Sequence, residues 1–289
     1  MSLTTRSPAK INLFLDILGC RKDGYHDIET VFLPLPEPTD TLTIDELAPG
    51  QLDVRCSHPD VPENSENLCW RAAQSLADAT GQQPSWRITI DKQIPVAAGL
   101  GGGSTDAASV LRLLNSISAS PLPDDQLHRL AANLGADVPF FLRPQPAVGR
   151  GIGEDLAPIL CGTAVPLVLI NLGFPVPVSW AYTKADTMTR PAPPALDDLI
   201  QALETGPLEA IAPLTYNALE YGLIDKFPIL EMLIEFLLSQ GCLTAHVSGS
   251  GPTVYGICQP DAGERIAEAA HREFGDAAWI CTTTTIPTT

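Results

Sequence analysis

Pro95-Val96-Ala97-Ala98-Gly99-Leu100-Gly101-Gly102-Gly103-Ser104-Thr105 runs without a break into Asp106-Ala107-Ala108-Ser109-Val110-Leu111-Arg112-Leu113-Leu114-Asn115, and the fold turns on how these two stretches join. The second stretch sets Val110, Leu111 and Leu114 on one helical face, so a helix is expected over Ala107 to Asn115. The first holds Gly99, Gly101, Gly102 and Gly103 within five residues, which predicts a glycine-rich loop leading into that helix. Glycines let a backbone approach a ligand closely, and the free amides and positive end of a helix attract an anion. The stretch therefore reads as a phosphate cradle built without a positive side chain. It lacks the Gly-Lys-Ser/Thr ending of a P-loop, and it does not match the dinucleotide fingerprint, whose third glycine sits inside the first helical turn. The alternative is a flexible turn, for which one or two glycines suffice.

Working outward, Trp86, Ile88 and Ile90 alternate as a strand, and before them Leu68, Ala72, Ala73, Leu76 and Ala77 space a helix over Asn67 to Ala79 with Gly81 as its stop. Lys10 to Ile17 reads as a strand and Cys20 to His26 as a polar loop. Asp124 to Leu134 is an expected helix ending at Gly135, and Asp137 follows that end. Farther on come a strand (Val165 to Leu172), helical material, a helix (Pro228 to Leu238), two strands around Ser248-Gly249-Ser250-Gly251-Pro252, a helix (Ala262 to Phe274) and a last strand (Ala277 to Thr282). That order resembles a split βαβ or ferredoxin-like layout. The expected division into domains is 1–160 and 161–289. Of the 27 prolines, those of Pro34 to Pro38 and Pro191 to Pro194 are read as surface connections.

The 289 residues carry 17 Lys and Arg against 34 Asp and Glu, a net charge of −17, and residues 191–289 alone hold three basic against thirteen acidic side chains. A surface of that sign excludes a nucleic-acid binder of the basic-patch kind, and a phosphorylated ligand must be neutralised locally. Seven cysteines without a Cys-x-x-Cys pair read as reduced thiols, hence a cytoplasmic protein. Asp16 interrupts the apolar start, so no export signal is expected. The apolar window 159–178 is broken by Pro166, Pro175 and Pro177, so no membrane span is expected either.

Individual residues leave alternatives open. Asp137 meets the negative end of a helix dipole, which invites a functional reading, though it also fits a surface acid in a pre-proline turn. Lys10 sits in an apolar strand, as a semi-buried ammonium or as a snorkelling one. Tyr25 and His26 suit stacking on a flat ring, or stand as an exposed loop pair. Ser248, Gly249, Ser250 and Gly251 bring amides to a phosphate or make a plain hairpin. The five histidines show no metal-ligand spacing.

Together, Pro8 to Phe32, Pro95 to Ala108 and Ser248 to Gly256 resemble the GHMP kinase superfamily in order and spacing. The runs Pro8-Ala9-Lys10-Ile11-Asn12-Leu13 and Arg21-Lys22-Asp23-Gly24-Tyr25-His26, with Leu134 to Leu142 and Gly149 to Glu154, resemble the branch that phosphorylates a cytidine-diphosphate-linked methylerythritol on the non-mevalonate route to isoprenoids. The resemblance implies an α+β, two-domain fold, a ribosomal-S5-like N-terminal α/β domain and a ferredoxin-like C-terminal one, with substrates in the cleft between them. It implies that Pro95 to Thr105 bind ATP, that Asp137 is the catalytic carboxylate and Lys10 its partner, lowering the pKa of the 2-hydroxyl that attacks the γ-phosphoryl group. It implies that Asn12, Tyr25, His26 and Tyr182 hold the cytidine substrate and that Ser248 to Gly251 lie on the phosphate side. The segment around Tyr182 departs from the usual Val-Ser-Thr pattern, and Thr105 stands where Ser is common. The resemblance implies ATP as co-substrate, with Mg²⁺ expected to be reached through Ser104 or Thr105 and a tight Mg²⁺ dependence. The expected partners are two small molecules, with no nucleic acid or membrane, and the chain is expected to be a monomer or weak dimer. The competing expectations are a GHMP kinase for mevalonate, homoserine or a sugar, and a non-kinase nucleotide-binding protein.

Overall fold

A computed structural model describes residues 2–288, and the chain divides into two compact units. The first comprises the residues up to Ala9, Thr39–Val96 and Gly101–Pro144; the second comprises Lys10–Pro38, Ala97–Leu100 and the chain from Gln145 on. Two long strands, β1 (Ser2–Cys20) and β2 (His26–Glu46), contribute a part to each.

In the first unit β3 (Gln51–Cys56) and β4 (Ser85–Asp91) extend β2 in the order β3-β4-β2-β1, with β4 antiparallel to β2 and parallel to β3. Along β4 the side chains alternate as expected: Trp86, Ile88 and Ile90 are buried while Arg87 and Thr89 are exposed. Helix α1 (Leu68–Thr80) starts at Asn67, whose side chain accepts from the Cys69 amide, and stops at Gly81 in the left-handed conformation. It packs on α2 (Gly102–Ile117), and α2 packs on α4 (Val138–Leu142), which α3 (Asp124–Leu134) also supports.

The expected helix over Ala107 to Asn115 in fact begins at Gly102, so Gly102 and Gly103 form the first helical turn instead of a loop. A first turn has free amides whatever residues it holds, and glycine there costs less than in a helix interior. Pro34 to Pro38 are likewise not a surface connection but lie inside β2, with Leu33 and Leu35 fully buried. Prolines two residues apart remove amide donors from one edge of a strand only. They occupy the stretch between Thr30–Phe32, paired to β5, and Thr41–Glu46, paired to β4.

In the second unit β8 (Tyr216–Asn217) pairs parallel with Phe14 and Leu15 of β1, and β5 (Ala147–Arg150) pairs with β2 and with β6 (Asp155–Pro158). Its other sheet runs β11-β7-β10-β9, all antiparallel, from β7 (Pro166–Asn171), β9 (Thr244–Val247), β10 (Val254–Ile257) and β11 (Trp279–Thr284). Taken in chain order, those four strands lie fourth, first, third and second, the ferredoxin-like arrangement expected. The first crossover carries α5 (Val178–Ala185), α6 (Leu196–Thr205), α7 (Leu208–Ile211), α8 (Glu220–Lys226) and α9 (Ile229–Ser239); the last carries α10 (Gly263–Phe274). All six residues of β7 are buried, which accounts for the apolar window at 159–178, and no helix among the described residues is long and apolar enough to cross a membrane.

Candidate active site

Residues 9–15 of β1 are all buried, and alternation puts Lys10 and Asn12 on one face with Ile11 and Leu13 on the other. Lys10, only 3% exposed, donates to the Asn12 Oδ1 at 2.6 Å and to the Gly99 carbonyl at 3.2 Å, and its Nζ lies 5.5 Å from the centre of the Phe32 ring. Asn12 in turn donates to the Thr30 hydroxyl at 2.8 Å, which donates to the Phe14 carbonyl at 2.6 Å. The ammonium is thus a fixed group in a hydrogen-bonded chain. The snorkelling reading of Lys10 does not hold.

Ala97 to Leu100 and Ser248 to Gly251 meet at the same place. The Ser248 hydroxyl donates to the Gly99 carbonyl at 3.1 Å, the Lys10 amide donates to the Leu100 carbonyl at 3.0 Å, and Asn217 ties the turn down through the Val247 and Gly249 carbonyls. A Cβ on Gly99 would stand 2.2 Å from the Ser248 carbonyl oxygen, and one on Gly249 would stand 2.9 Å from the Asn12 Oδ1. Both have positive φ, at +76° and +55°, so both the space and the backbone require glycine. Ala97 also adopts a positive φ, +53°, although it is not a glycine. Non-glycine residues held in that region are a strain that gathers at functional segments.

In the first unit the chain re-enters at Gly101, whose φ of +76° turns it into α2. Ser104 is half-buried in the opening turn, whereas Thr105 is fully buried and its hydroxyl has no hydrogen-bond partner. Beneath that turn lies a group the sequence reading missed. Lys92 donates to Asp40 and, at 2.8 Å, to Asp106, while the other Asp40 oxygen accepts from the Gln93 and Ile94 amides at 2.7 and 2.8 Å. Both ends of the glycine-rich stretch are therefore fixed to one buried cluster. Burial pushes the Asp106 carboxyl up to about 7, with the Lys92 charge opposing and Asp40 reinforcing the rise, and its Oδ1 is unpartnered. Burial also works against the Lys92 ammonium, but Asp106 and Asp40 outweigh it and its pKa is raised. The available signal was Lys92 directly after a strand, three residues before a loop expected to bind anions.

Asp137, half-buried, follows α3 as expected but is also the N-cap residue of α4. That places its carboxylate between the negative end of α3 and the first turn of α4, which its side chain does not cap. In the second unit Tyr182 of α5 stacks on His26, ring centres 5.2 Å apart and planes 29° apart, while Tyr25 is 59% exposed. His26 and Tyr182 touch one another, so a flat base fits beside this pair and not between its members. The His26 Nε2 donates to both oxygens of Asp186, at 3.0 and 2.9 Å. Asp186 lies one helical turn after Tyr182, a spacing that marks a shared face.

Residues 67–144 match the family model of the GHMP kinases' N-terminal domain, and residues 199–277 that of their C-terminal domain. The chain is 38% identical to 4-diphosphocytidyl-2-C-methyl-D-erythritol kinase of Pelobacter propionicus over 94% of each chain. It is 36% identical to the enzyme of that name from Geobacter sulfurreducens, over 97% of this chain and 99% of the other. The chain belongs to this family of GHMP kinases. A crystal structure of 4-(cytidine 5'-diphospho)-2C-methyl-D-erythritol kinase superposes on this GHMP kinase with a TM-score of 0.81 at 35% identity, covering 98% of this chain and all of that one. A homoserine kinase from Cytophaga hutchinsonii shares the fold, with a TM-score of 0.76 at 16% identity. The GHMP kinase is accordingly an ATP-dependent small-molecule kinase with the two-domain fold of that superfamily.

Proposed function

We propose that this kinase transfers the γ-phosphoryl group of ATP to the 2-hydroxyl of 4-diphosphocytidyl-2-C-methyl-D-erythritol, giving the 2-phosphate and ADP in non-mevalonate isoprenoid biosynthesis. The near-full-length identity to kinases of that name carries the reading. The aromatic and imidazole groups at Tyr25, His26 and Tyr182 support it, because a substrate without a nucleobase has no use for them.

On this reading Pro95 to Thr105 hold the ATP phosphates through backbone amides, with Ser248 to Gly251 closing the phosphate side. Mg²⁺ fits the hydroxyl of Ser104, since that of Thr105 is closed to solvent; the ion neutralises phosphate charge when bound with ATP. Lys10 sets its ammonium where charge develops on the attacking hydroxyl, and Asn12 fixes the direction of that ammonium. Asp137 orients the hydroxyl or takes its proton. Tyr25 offers an open ring face to the cytosine, and His26, held by Tyr182 and Asp186, meets the edge of the base. The seven cysteines are free thiols, which supports a cytoplasmic location.

The test is ADP release from Mg²⁺-ATP with the cytidine substrate, run beside mevalonate and homoserine. Turnover with the cytidine compound alone is expected. Turnover with another alcohol would keep the kinase and remove the base-binding role of His26.

A further inference from the structure

Cys20 closes β1, His26 opens β2 and Asp186 caps α5, 160 residues after His26, which is why spacing along the chain gave no metal signal. The five-residue loop between Cys20 and His26, closed by the Arg21 amide on the Tyr25 carbonyl at 2.6 Å, returns the chain so that the thiol and the imidazole meet. One donor atom from each of the three side chains lies within 4.8 Å of the others, and among the described residues this is the one such group. We propose that Cys20, His26 and Asp186 form a binding site for a thiophilic divalent cation of the zinc class.

Three observations carry it. The donor set is one sulfur, one imidazole nitrogen and one carboxylate oxygen, which suits Zn²⁺ or Co²⁺ and not Mg²⁺ or Ca²⁺. A tetrahedral zinc with bonds of about 2.0 to 2.3 Å sets its donors about 3.3 to 3.7 Å apart. The Nε2 to carboxylate distance of 2.9 Å and the limit of 4.8 Å for the trio bracket that spacing, so small side-chain shifts complete the site. Finally, the imidazole is already oriented, stacked on Tyr182 with its Nε2 toward the carboxylate, while Cys20 and Asp186 are exposed and leave an entry path and a fourth position for water. On binding, the thiol gives its proton to solvent and the thiolate forms the metal–sulfur bond. The imidazole proton moves from Nε2 to Nδ1, so that the Nε2 lone pair can coordinate.

The consequence rests on the proposed role of His26: a cation on Nε2 turns Nδ1, the ring nitrogen that Asp186 leaves to the cytosine, from acceptor to donor, so occupancy competes with the cytidine substrate and leaves ATP binding unaltered. Zinc is then an inhibitor specific to one substrate.

The test is a Co²⁺ titration of the full chain followed by absorbance, which does not depend on activity. The expected result is a thiolate-to-cobalt charge-transfer band with visible tetrahedral bands at one equivalent, displaced by Zn²⁺. Cys20→Ser should lose the charge-transfer band and bind Zn²⁺ at least about tenfold more weakly, with turnover in chelator equal to that of the parent. No band in the parent, or the same band in Cys20→Ser, overturns the site. In parallel, Zn²⁺ inhibition is measured against each substrate. Competition with the cytidine substrate that vanishes in Cys20→Ser is expected; a full Co²⁺ signature without that competition confirms the cation site and overturns the base-binding role of His26.

Discussion

Lys10 is a charge in the middle of a buried strand, and the residues beside it are Ala9 and Ile11, neither of them exposed at all. An ammonium survives there only with its protons satisfied, which the Asn12 and Gly99 oxygens supply. A residue so held is suited to placing charge at a reacting atom without reorganisation. Asp137 carries the complementary expectation. Asp137→Asn keeps size and shape, so the fold should persist while kcat falls about 10² to 10⁴-fold, the range of general acid–base roles; unchanged turnover with an unchanged Tm removes the acid from the mechanism. His26→Ala removes the ring stacked on Tyr182 and the donor to Asp186, and should raise the KM for the cytidine substrate about tenfold, leaving that for ATP in place. A rise confined to the ATP KM would place His26 on the wrong substrate.

Helix α2 is the element on which the phosphate reading rests, and its first turn lies on the Asp40–Lys92–Asp106 cluster. Breaking such a cluster from one side leaves buried charge uncompensated, so Lys92→Met should cost about 3 to 5 kcal/mol of stability. The cluster also fixes a pH dependence. The Asp106 carboxyl is raised from 3.8 to about 7 in the fold, so between those values the folded state retains a proton that the unfolded chain releases. This group therefore contributes a loss of stability that grows as pH rises from about 4 to about 7 and is constant above that. Asp106→Asn keeps a neutral side chain at every pH; its denaturation midpoint should fall less steeply than the parent's across that window, and a parallel fall would place the proton elsewhere.

For the whole molecule the relevant quantity is the net charge of −17, against which ATP, itself an anion, must bind. On the proposed reading local amides and Lys10 would neutralise the phosphates at contact, but the long-range field opposes approach. Added inert salt at fixed free Mg²⁺ should therefore raise kcat/KM for ATP between about 10 and 150 mM, where the screening length falls from about 30 to 8 Å. A steady decrease over that range would mean that a positive patch steers the nucleotide despite the total.

Sequence alone determined what depends on local pattern. The alternation of Trp86, Ile88 and Ile90 gave β4, Gly81 gave the end of α1, and the strand and helix order after residue 160 gave the ferredoxin-like sheet. The turn at Gly99 and Gly101 was legible in the same way, because turn conformation is a property of a few adjacent residues. Pro34 to Pro38 misled, since a proline-rich run reads as a loop unless the strand pairing on either side is known. Likewise the start of α2 at Gly102 opposes helix propensity and follows from packing on α1 and the anchor of Asp106 on Lys92. Only the tertiary structure could bring Asp186 to His26, Asp40 to Lys92 or Gly99 to Ser248, pairs separated by 160, 52 and 149 residues. Hydrogen bonds and charge interactions act over a few ångströms of space, and the chain distance between their partners leaves no periodicity to read.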